Sequence, residues 1–371
     1  MTEPEPLQQI DRTCVRFRGR KLAYFSGCDY FRLASHPQVI AALQSGVKKY
    51  GLNVAASRLT TGNHVLYREL EAALADFFAA ESALLVPSGY MTNLVVAQAL
   101  SGSFSHALID AGAHPSLADA ARLLDCPVLQ FKSQDPEALA SAVRRCGPQS
   151  KLLVLTDGMF SHDGSAAPLA EYLEVLPKDA LLLVDDAHGA GVLGRTGKGA
   201  VEHAGVSRRQ VIQTVTLSKA FGAYGGAIIG TRQLRQRILD RSRMFVGSTP
   251  LPLPLANAAL AGIRLLKANP GLRERLVQNA TYLKTALREA GLALPEAPGP
   301  IVPLLPRRPS EAARLQRALF AANIFPPFIK YPGGPPSGYF RFVISSEHSR
   351  PQLDRLIKVL RPHAESRRGS A

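Results

Sequence analysis

No stretch of this 371-residue chain approaches the ~20 consecutive apolar residues that a membrane-spanning helix requires, so no membrane partner is expected. Cysteine is scarce: Cys14, Cys28, Cys126 and Cys146 are scattered, with no C-x-x-C pair. That argues against a structural zinc site and for a reducing, cytoplasmic setting. The opening residues, MTEPEPLQQIDRTC, lack the basic and apolar segments of a secretory signal. Acidic residues are the minority, 29 against 44 Lys and Arg, for a net charge of +15. The basic residues are dispersed and no nucleic-acid-binding motif accompanies them, so no nucleic acid is expected. The excess suits a small anionic partner, such as a phosphate ester or a coenzyme A thioester. No internal repeat is visible.

Strand and helix patterns alternate through the first two thirds of the chain. A helix is expected from Pro37 to Tyr50, and another from Val65 to Phe78, where Leu66, Leu70, Leu74 and Phe78 recur at helical spacing. ALLVP, HALID, PVLQF, KLLVLTD, ALLLVDD and 211–217 read as strands separated by helices. This predicts an α/β fold with a mainly parallel sheet between helices, whose ligands bind beyond the C-terminal strand ends. Past about residue 235 the pattern changes to long helices, the strands VPLL and YFRFVIS, and a helix capped by Ser310. The expected organisation is an N-terminal arm over 1–36, a large α/β domain over 37–235 and a smaller C-terminal α+β domain over 236–371. Loops are expected at 295–309 and 332–338.

The run 211–230, VIQTVTLSKAFGAYGGAIIG, holds one charged residue, Lys219, between an apolar strand and small neighbours. Desolvation there would free the amine as a nucleophile, and the small neighbours leave room for a planar group bonded to it. That is the arrangement Schiff-base chemistry with pyridoxal 5'-phosphate (PLP) needs. A lysine reaching from a strand end to solvent is the other reading. Further polar groups close other strands. Ser88-Gly89-Tyr90 ends one strand and opens a helix, whose free N–H groups suit a phosphate. Asp185, at the end of LLLVD, needs a cationic partner such as a pyridinium N–H, and His188 follows nearby. DGMFSHDG, with Asp157 and Ser161, and DAGAH, with His114, complete the set. GAGVLG at 189–194 fits G-x-G-x-x-G, but the residues after it are Arg195-Thr196-Gly197-Lys198-Gly199. That is loop chemistry, so dinucleotide binding is not expected.

Six segments in order resemble the α-oxoamine synthase family of PLP fold-type I enzymes: SGY at 88–90, DAGAHPS at 110–116, TDGMFSHDG at 156–164, VDDAHGAGVLGRTGKG at 184–199, TLSKAFGAYGG at 216–226 and FRFVISSEH at 340–348. The resemblance covers about residues 20–360. It implies a seven-stranded, aspartate aminotransferase-like sheet, with Lys219 bonded to PLP and Asp185 on its pyridine nitrogen. His188 and Ser161 would lie near the phenolic oxygen, and His114 would stack on the ring. Ser88, Gly89, Tyr90 and Thr216 would hold the phosphate, joined by Ser248 and Thr249 from the second subunit of a homodimer. Arg341 would clamp the substrate carboxylate. The implied reaction condenses an amino acid with an acyl-CoA or acyl-carrier thioester, with loss of carbon dioxide in most members. The departures face the substrate: Cys28 stands where an asparagine is expected and Arg32 where a glycine is, in a segment one residue longer than the family's. Asn53 and Tyr67 replace Gly and His. A PLP aminotransferase of the same fold and a catalytically impaired PLP-binding homologue are the alternatives.

Overall fold

The computed structural model describes residues 4–330 and 337–368, so the loop expected at 332–338 lies outside the described residues at 332–336. The chain forms two compact units. The first comprises the described parts of Met1–Ser35, Ser161–Ser165 and Gly271–Ala371; the second comprises His36–Phe160 and Ala166–Pro270. In the first unit the arm is an antiparallel set of short strands, β1 (Gln8–Gln9), β2 (Cys14–Phe17) and β3 (Arg20–Ala23).

The second unit is built on a seven-stranded sheet, β4 (Ser82–Val86), β5 (His106–Asp110), β6 (Val128–Phe131), β7 (Leu152–Asp157), β8 (Leu181–Asp185), β9 (Val211–Thr216) and β10 (Gly226–Gly230). Their spatial order is β4-β10-β9-β8-β7-β5-β6, and only β10 runs against its neighbours. β7 and β9 are buried at every residue, the continuous apolar pattern of strands covered on both faces. Leu84, Val95, Leu153, Leu183, Ile212 and Ile228 form part of one core between the sheet and its helices. The parallel register sets Asp157 opposite Asp185, and Asp185 opposite Thr214. Polar residues that close successive strands therefore meet at one end of the sheet.

The first unit is completed by β11 (Ile301–Leu304), β12 (Phe328–Ile329) and β13 (Tyr339–Val343), in the antiparallel order β11-β13-β12. Phe340 and Phe342 pack with Leu283, Leu315 and Leu356 of its helices. The arm is part of this core: Ala23 bridges Ile324, and the Val343 N–H donates to the Phe25 carbonyl at 2.9 Å.

Three features of the fold go beyond the sequence reading. The compact second unit runs to Pro270, past the boundary expected at 235, because the helix Leu253–Ala268 packs on the helices Pro37–Tyr50 and Val65–Phe78 of the same unit. Ser310 is not an N-cap: the helix Pro309–Ala321 opens two residues earlier than that cap implies, with Arg308 at the cap position and no side-chain cap bond. The Gly-rich stretch 226–230 is a strand between β4 and β9, where Gly226 leaves room for the start of the helix Gly89–Leu100: a Cβ there would fall 2.6 Å from the Ser88 carbonyl oxygen. Among the described residues, no helix is long and apolar enough to cross a membrane.

Candidate active site

The C-terminal strand ends of the second unit open into a cavity of about 260 Å³. Lys219 lies beyond the end of β9, in the bend that turns the chain back into β10. Its Nζ is 2.8 Å from His188 Nε2. At that distance one nitrogen donates and the other accepts, so the amine and the imidazole share a proton.

Asp185 closes β8 and is 8% exposed. Its Oδ1 accepts the Ala187 N–H at 3.1 Å. Its Oδ2 accepts from Asn93 Nδ2 at 2.6 Å and from the Ser116 hydroxyl at 3.2 Å. Asn93 is fixed in turn by the Thr214 hydroxyl, which donates to its Oδ1 at 2.7 Å. Neutral donors thus hold this carboxylate, and among the described residues no cation pairs with it. A buried carboxylate in that state suits a cationic atom supplied by a ligand. Asp157 faces Asp185 across the register, and its Oδ1 accepts the His114 N–H at 3.1 Å. Burial, with Asp185 adding repulsion, pushes Asp157 well above the usual carboxylate range. Burial and repulsion thus favour the protonated form of Asp157.

His114 caps the helix Pro115–Ala121. Its Nδ1 accepts the Ser116 N–H at 3.2 Å and lies 2.7 Å from the Ser116 oxygen. An accepting Nδ1 leaves the ring proton on Nε2. Burial lowers His114 below its ordinary range, with the Lys219 charge acting in the same direction and Asp185 against it. The ring meets Tyr90 edge-on, with centroids 6.0 Å apart.

The helix Gly89–Leu100 begins at the same cavity, with the Ser88 hydroxyl accepting the Met91 N–H at 3.4 Å. A Cβ at Gly89 would fall 2.8 Å from Thr216 Oγ1, so glycine lets the first turn close against the end of β9. The Thr216 and Ser218 hydroxyls are 2.8 Å apart. A helix N-terminus flanked by hydroxyls is a phosphate cradle. One cavity therefore joins an anion cradle, an uncompensated buried carboxylate and a primary amine. That donor set could hold PLP, with the phosphate at the cradle, the pyridinium at Asp185 and the aldehyde carbon at Lys219.

The structure brings Ser88, Gly89, Tyr90, His114, Asp185, His188, Thr216 and Lys219 into this one lining. Tyr90 gives its hydroxyl proton to Asp119. Ser248 and Thr249 follow the helix Arg243–Gly247 and are not part of the lining; the Ser248 hydroxyl donates to the Met244 carbonyl. The remaining expected residues belong to the first unit. Arg341, on β13, donates from Nη1 to the Ser161 carbonyl at 3.2 Å. Cys28 is half-buried. Arg32 is 1% exposed at φ +53°, a left-handed conformation that suits glycine, the residue expected there. Its Nη2 donates to the Tyr24 carbonyl at 3.0 Å, and its guanidinium lies 5.5 Å from the Tyr24 ring centroid. His348 Nε2 is 3.0 Å from the same carbonyl. Asn53 is exposed and accepts the Ala55 N–H at 2.8 Å, whereas Tyr67 is buried and donates to the Leu251 carbonyl.

Asn93, Ser116 and Ser218 were not anticipated. Asn93 carried a usable signal, being fully buried on an otherwise apolar helix face, where an amide must find partners. The glycines of 189–194 do not open a helix; the next one begins at Ala200. Gly189 instead makes room, with Gly158 and Gly199, for Asp186. Cβ atoms at these three positions would fall 2.1, 2.4 and 1.7 Å from its carboxylate oxygens. Asp186 Oδ2 accepts from Gln213 at 2.6 Å and from the Ala200 N–H at 2.9 Å, and burial pushes the group up to about 7.

Residues 25–360 match the aminotransferase class I and II family. The chain is 39% identical over 345 residues to the 8-amino-7-oxononanoate synthase of Thioalkalivibrio sulfidiphilus, covering 92% of this chain and 88% of that one. Against the enzyme of the same name from Ectopseudomonas mendocina it is 37% identical over 353 residues, with coverage of 93% and 89%. Among solved structures it resembles the serine palmitoyltransferase of S. paucimobilis, bound to a PLP–myriocin adduct, with a TM-score of 0.91 and 27% identity over 98% of this chain and 94% of that one. The 8-amino-7-oxononanoate synthase of Francisella tularensis superposes with a TM-score of 0.80 and 26% identity, covering 93% and 98%. The chain thus belongs to the aminotransferase class I and II family and, within it, is a PLP-dependent C-acyltransferase of the α-oxoamine synthases.

Proposed function

We propose that the protein joins L-alanine to a pimeloyl thioester, releasing the thiol and carbon dioxide, and so makes 8-amino-7-oxononanoate for biotin biosynthesis. The chemistry of that product supports the pair. Its amine at C8 and ketone at C7 divide the nine-carbon chain into the two carbons left by decarboxylated alanine and a seven-carbon dicarboxylic acyl group. The observation that carries the reading is the 2.8 Å contact of Lys219 Nζ with His188 Nε2 in the cavity that also holds the uncompensated Asp185.

When bound, PLP accepts the electron pair left at the amino-acid Cα. In our reading Lys219 Nζ takes the Cα proton, and His188 Nε2 exchanges protons with that nitrogen. Asp185 accepts the pyridinium N–H and keeps the nitrogen protonated. Burial favours the protonated form of its neighbour Asp157. Cα forms a bond to the thioester carbonyl, the C–S bond breaks, the carboxylate leaves as carbon dioxide, and a proton returns to Cα. Ser88, Gly89, Tyr90 and Thr216 hold the phosphate, and His114 stacks on the ring. Ser161 contacts the phenolic oxygen. Arg341 clamps the substrate carboxylate. Ser248 and Thr249 serve the partner's site in a homodimer. Cys28 selects the amino acid directly, and Arg32 acts on selection by fixing the 24–33 backbone. The second unit is the large cofactor domain; the first is the small domain with its arm.

The test is to supply L-alanine, glycine or L-serine with pimeloyl-CoA and to measure thiol and carbon dioxide together. Equal release of both with alanine is expected. An α-keto acid without thiol would make the protein an aminotransferase, and no turnover by a yellow, PLP-loaded protein would make it an impaired homologue. Borohydride should fix the cofactor to the peptide containing Lys219, and Lys219→Ala should lower turnover at least about a thousandfold. An active monomer in light scattering would remove Ser248 and Thr249 from the site.

A further inference from the structure

The opposite end of the seven-stranded sheet carries a second cavity, of about 210 Å³. It lies where β8 and β9 begin and the helix Gly89–Leu100 ends. Leu100, Leu181, Ile212 and Leu234 give it apolar walls, and three of its lining residues are arginines, Arg208, Arg209 and Arg237. It has no acidic lining residue.

Two of these arginines are set in place by neutral acceptors. Arg237 Nε donates to the Ala99 carbonyl at 2.9 Å, and Nη2 donates to the Ser103 hydroxyl. Arg208 Nη1 donates to Gln213 Oε1 at 2.8 Å. Among the described residues no carboxylate lies within ion-pair distance of Arg208, Arg209 or Arg237. Asp186 and Glu202 are the acidic groups whose field reaches Arg208. Both are engaged elsewhere: Asp186 by Gln213 and the Ala200 N–H, Glu202 by Thr196 and the Lys198 N–H. Arg241 adds further positive charge beside Arg237. Burial lowers both Arg208 and Arg237 below the usual arginine range, so their charges stand partly desolvated and uncompensated beside an apolar wall.

We propose that this cavity binds a small amphipathic anion, a carboxylate or phosphate head on a short apolar tail. Guanidinium groups held by neutral acceptors keep their charge for an oxyanion and can meet it in bidentate fashion. The apolar walls take the tail, in the common pattern of an apolar pocket with a few fixed polar groups.

Calorimetric titration of the PLP-loaded protein with octanoate and with octyl phosphate tests this and separates the two head groups. Saturable binding of at least one is expected, with 1-octanol and inorganic phosphate each at least about tenfold weaker. Affinity should fall as salt is raised. Arg209→Gln, an exposed change, and Arg237→Gln should each weaken binding about tenfold or more while leaving the cofactor's absorption band unchanged. Absence of saturable binding to the unaltered protein would overturn the proposal, as would binding unchanged in both variants.

Discussion

His348 in the first unit and Asp186 in the second are both buried titratable groups, and burial moves them in opposite directions. His348 stacks on Phe25, with ring centroids 4.2 Å apart, and its Nδ1 accepts the Ser345 N–H at 2.9 Å. Burial, helped by the Arg32 charge, lowers it to about 3. A histidine lowered in the folded state contributes stability that is full above about 6.5 and is lost as pH falls towards 3. Asp186, raised to about 7, contributes stability that is full below about 4 and is lost as pH rises through 7. Acid thus strains the Tyr24–Arg32–His348 corner, whereas base strains the glycine cradle of Asp186. A buried charge is tolerated in each place for a different reason. Arg32 is turned onto backbone carbonyls and is closed to ligands, whereas Asp185, next to Asp186, lines the wall of a cavity.

Four substitutions sharpen that contrast. The largest effect is expected at Asp185. Asp185→Asn should cut turnover by about 10²–10³-fold while the protein still folds and retains some PLP, read by steady-state kinetics and absorbance. Near-normal turnover would separate the charge of Asp185 from the chemistry. Next comes Arg32→Met, which should destabilise the protein by about 2–4 kcal/mol in thermal unfolding and raise the His348 pKa in an NMR titration. An unmoved His348 would show that the corner is held by packing alone. Asp186→Asn should flatten the pH dependence of stability. From pH 7 down to pH 4 the unaltered protein should gain on the variant by on the order of 1–3 kcal/mol, and parallel curves would show that Asp186 is already ionised throughout. The smallest effect is expected from Asp157→Asn, which removes a charge that burial already disfavours. Turnover should change less than about threefold, and a loss matching that of Asp185→Asn would mean that Asp157 works as an anion.

Much of this architecture is legible in the chain because desolvation leaves a mark in sequence. Lys219 stands alone in an uncharged run, and Asp185 ends an apolar one. Those marks survive because a buried charge without a purpose would be costly. β10 escaped because its signal is negative: Gly226, Ala227 and Gly230 have neither the bulk nor the alternation of a typical strand, and their smallness serves the neighbours. The pairing of Asn93 and Ser116 with Asp185 escaped because that shared partner lies 92 and 69 residues away from them, a distance no local pattern reports. The compact second unit extends beyond residue 235 because Leu253–Ala268 packs on helices that precede it by some two hundred residues, again a tertiary choice. Arg32 shows the converse: the departure is plain in sequence, but only the fold shows that its side chain is turned onto the Tyr24 carbonyl.

The cradle around Asp186 has a consequence for how this chain can change. Gly158, Gly189 and Gly199 lie far apart in sequence, yet each is forbidden a side chain by the same carboxylate. Their tolerance is therefore epistatic. With Asp186 in place, alanine at Gly158 or Gly189 is excluded. With an alanine at 186, the oxygen that blocks Gly189 is gone and that position becomes permissive, while Gly158 still faces the Ala200 Cβ at 2.8 Å and Gly199, at φ +86°, remains bound to glycine by its backbone. Drift at Gly189 has to pass through position 186 first, so the first glycine of a run that imitates a nucleotide-binding signature persists as the shadow of a neighbouring acid, while Gly191 and Gly194 are kept by their left-handed backbone.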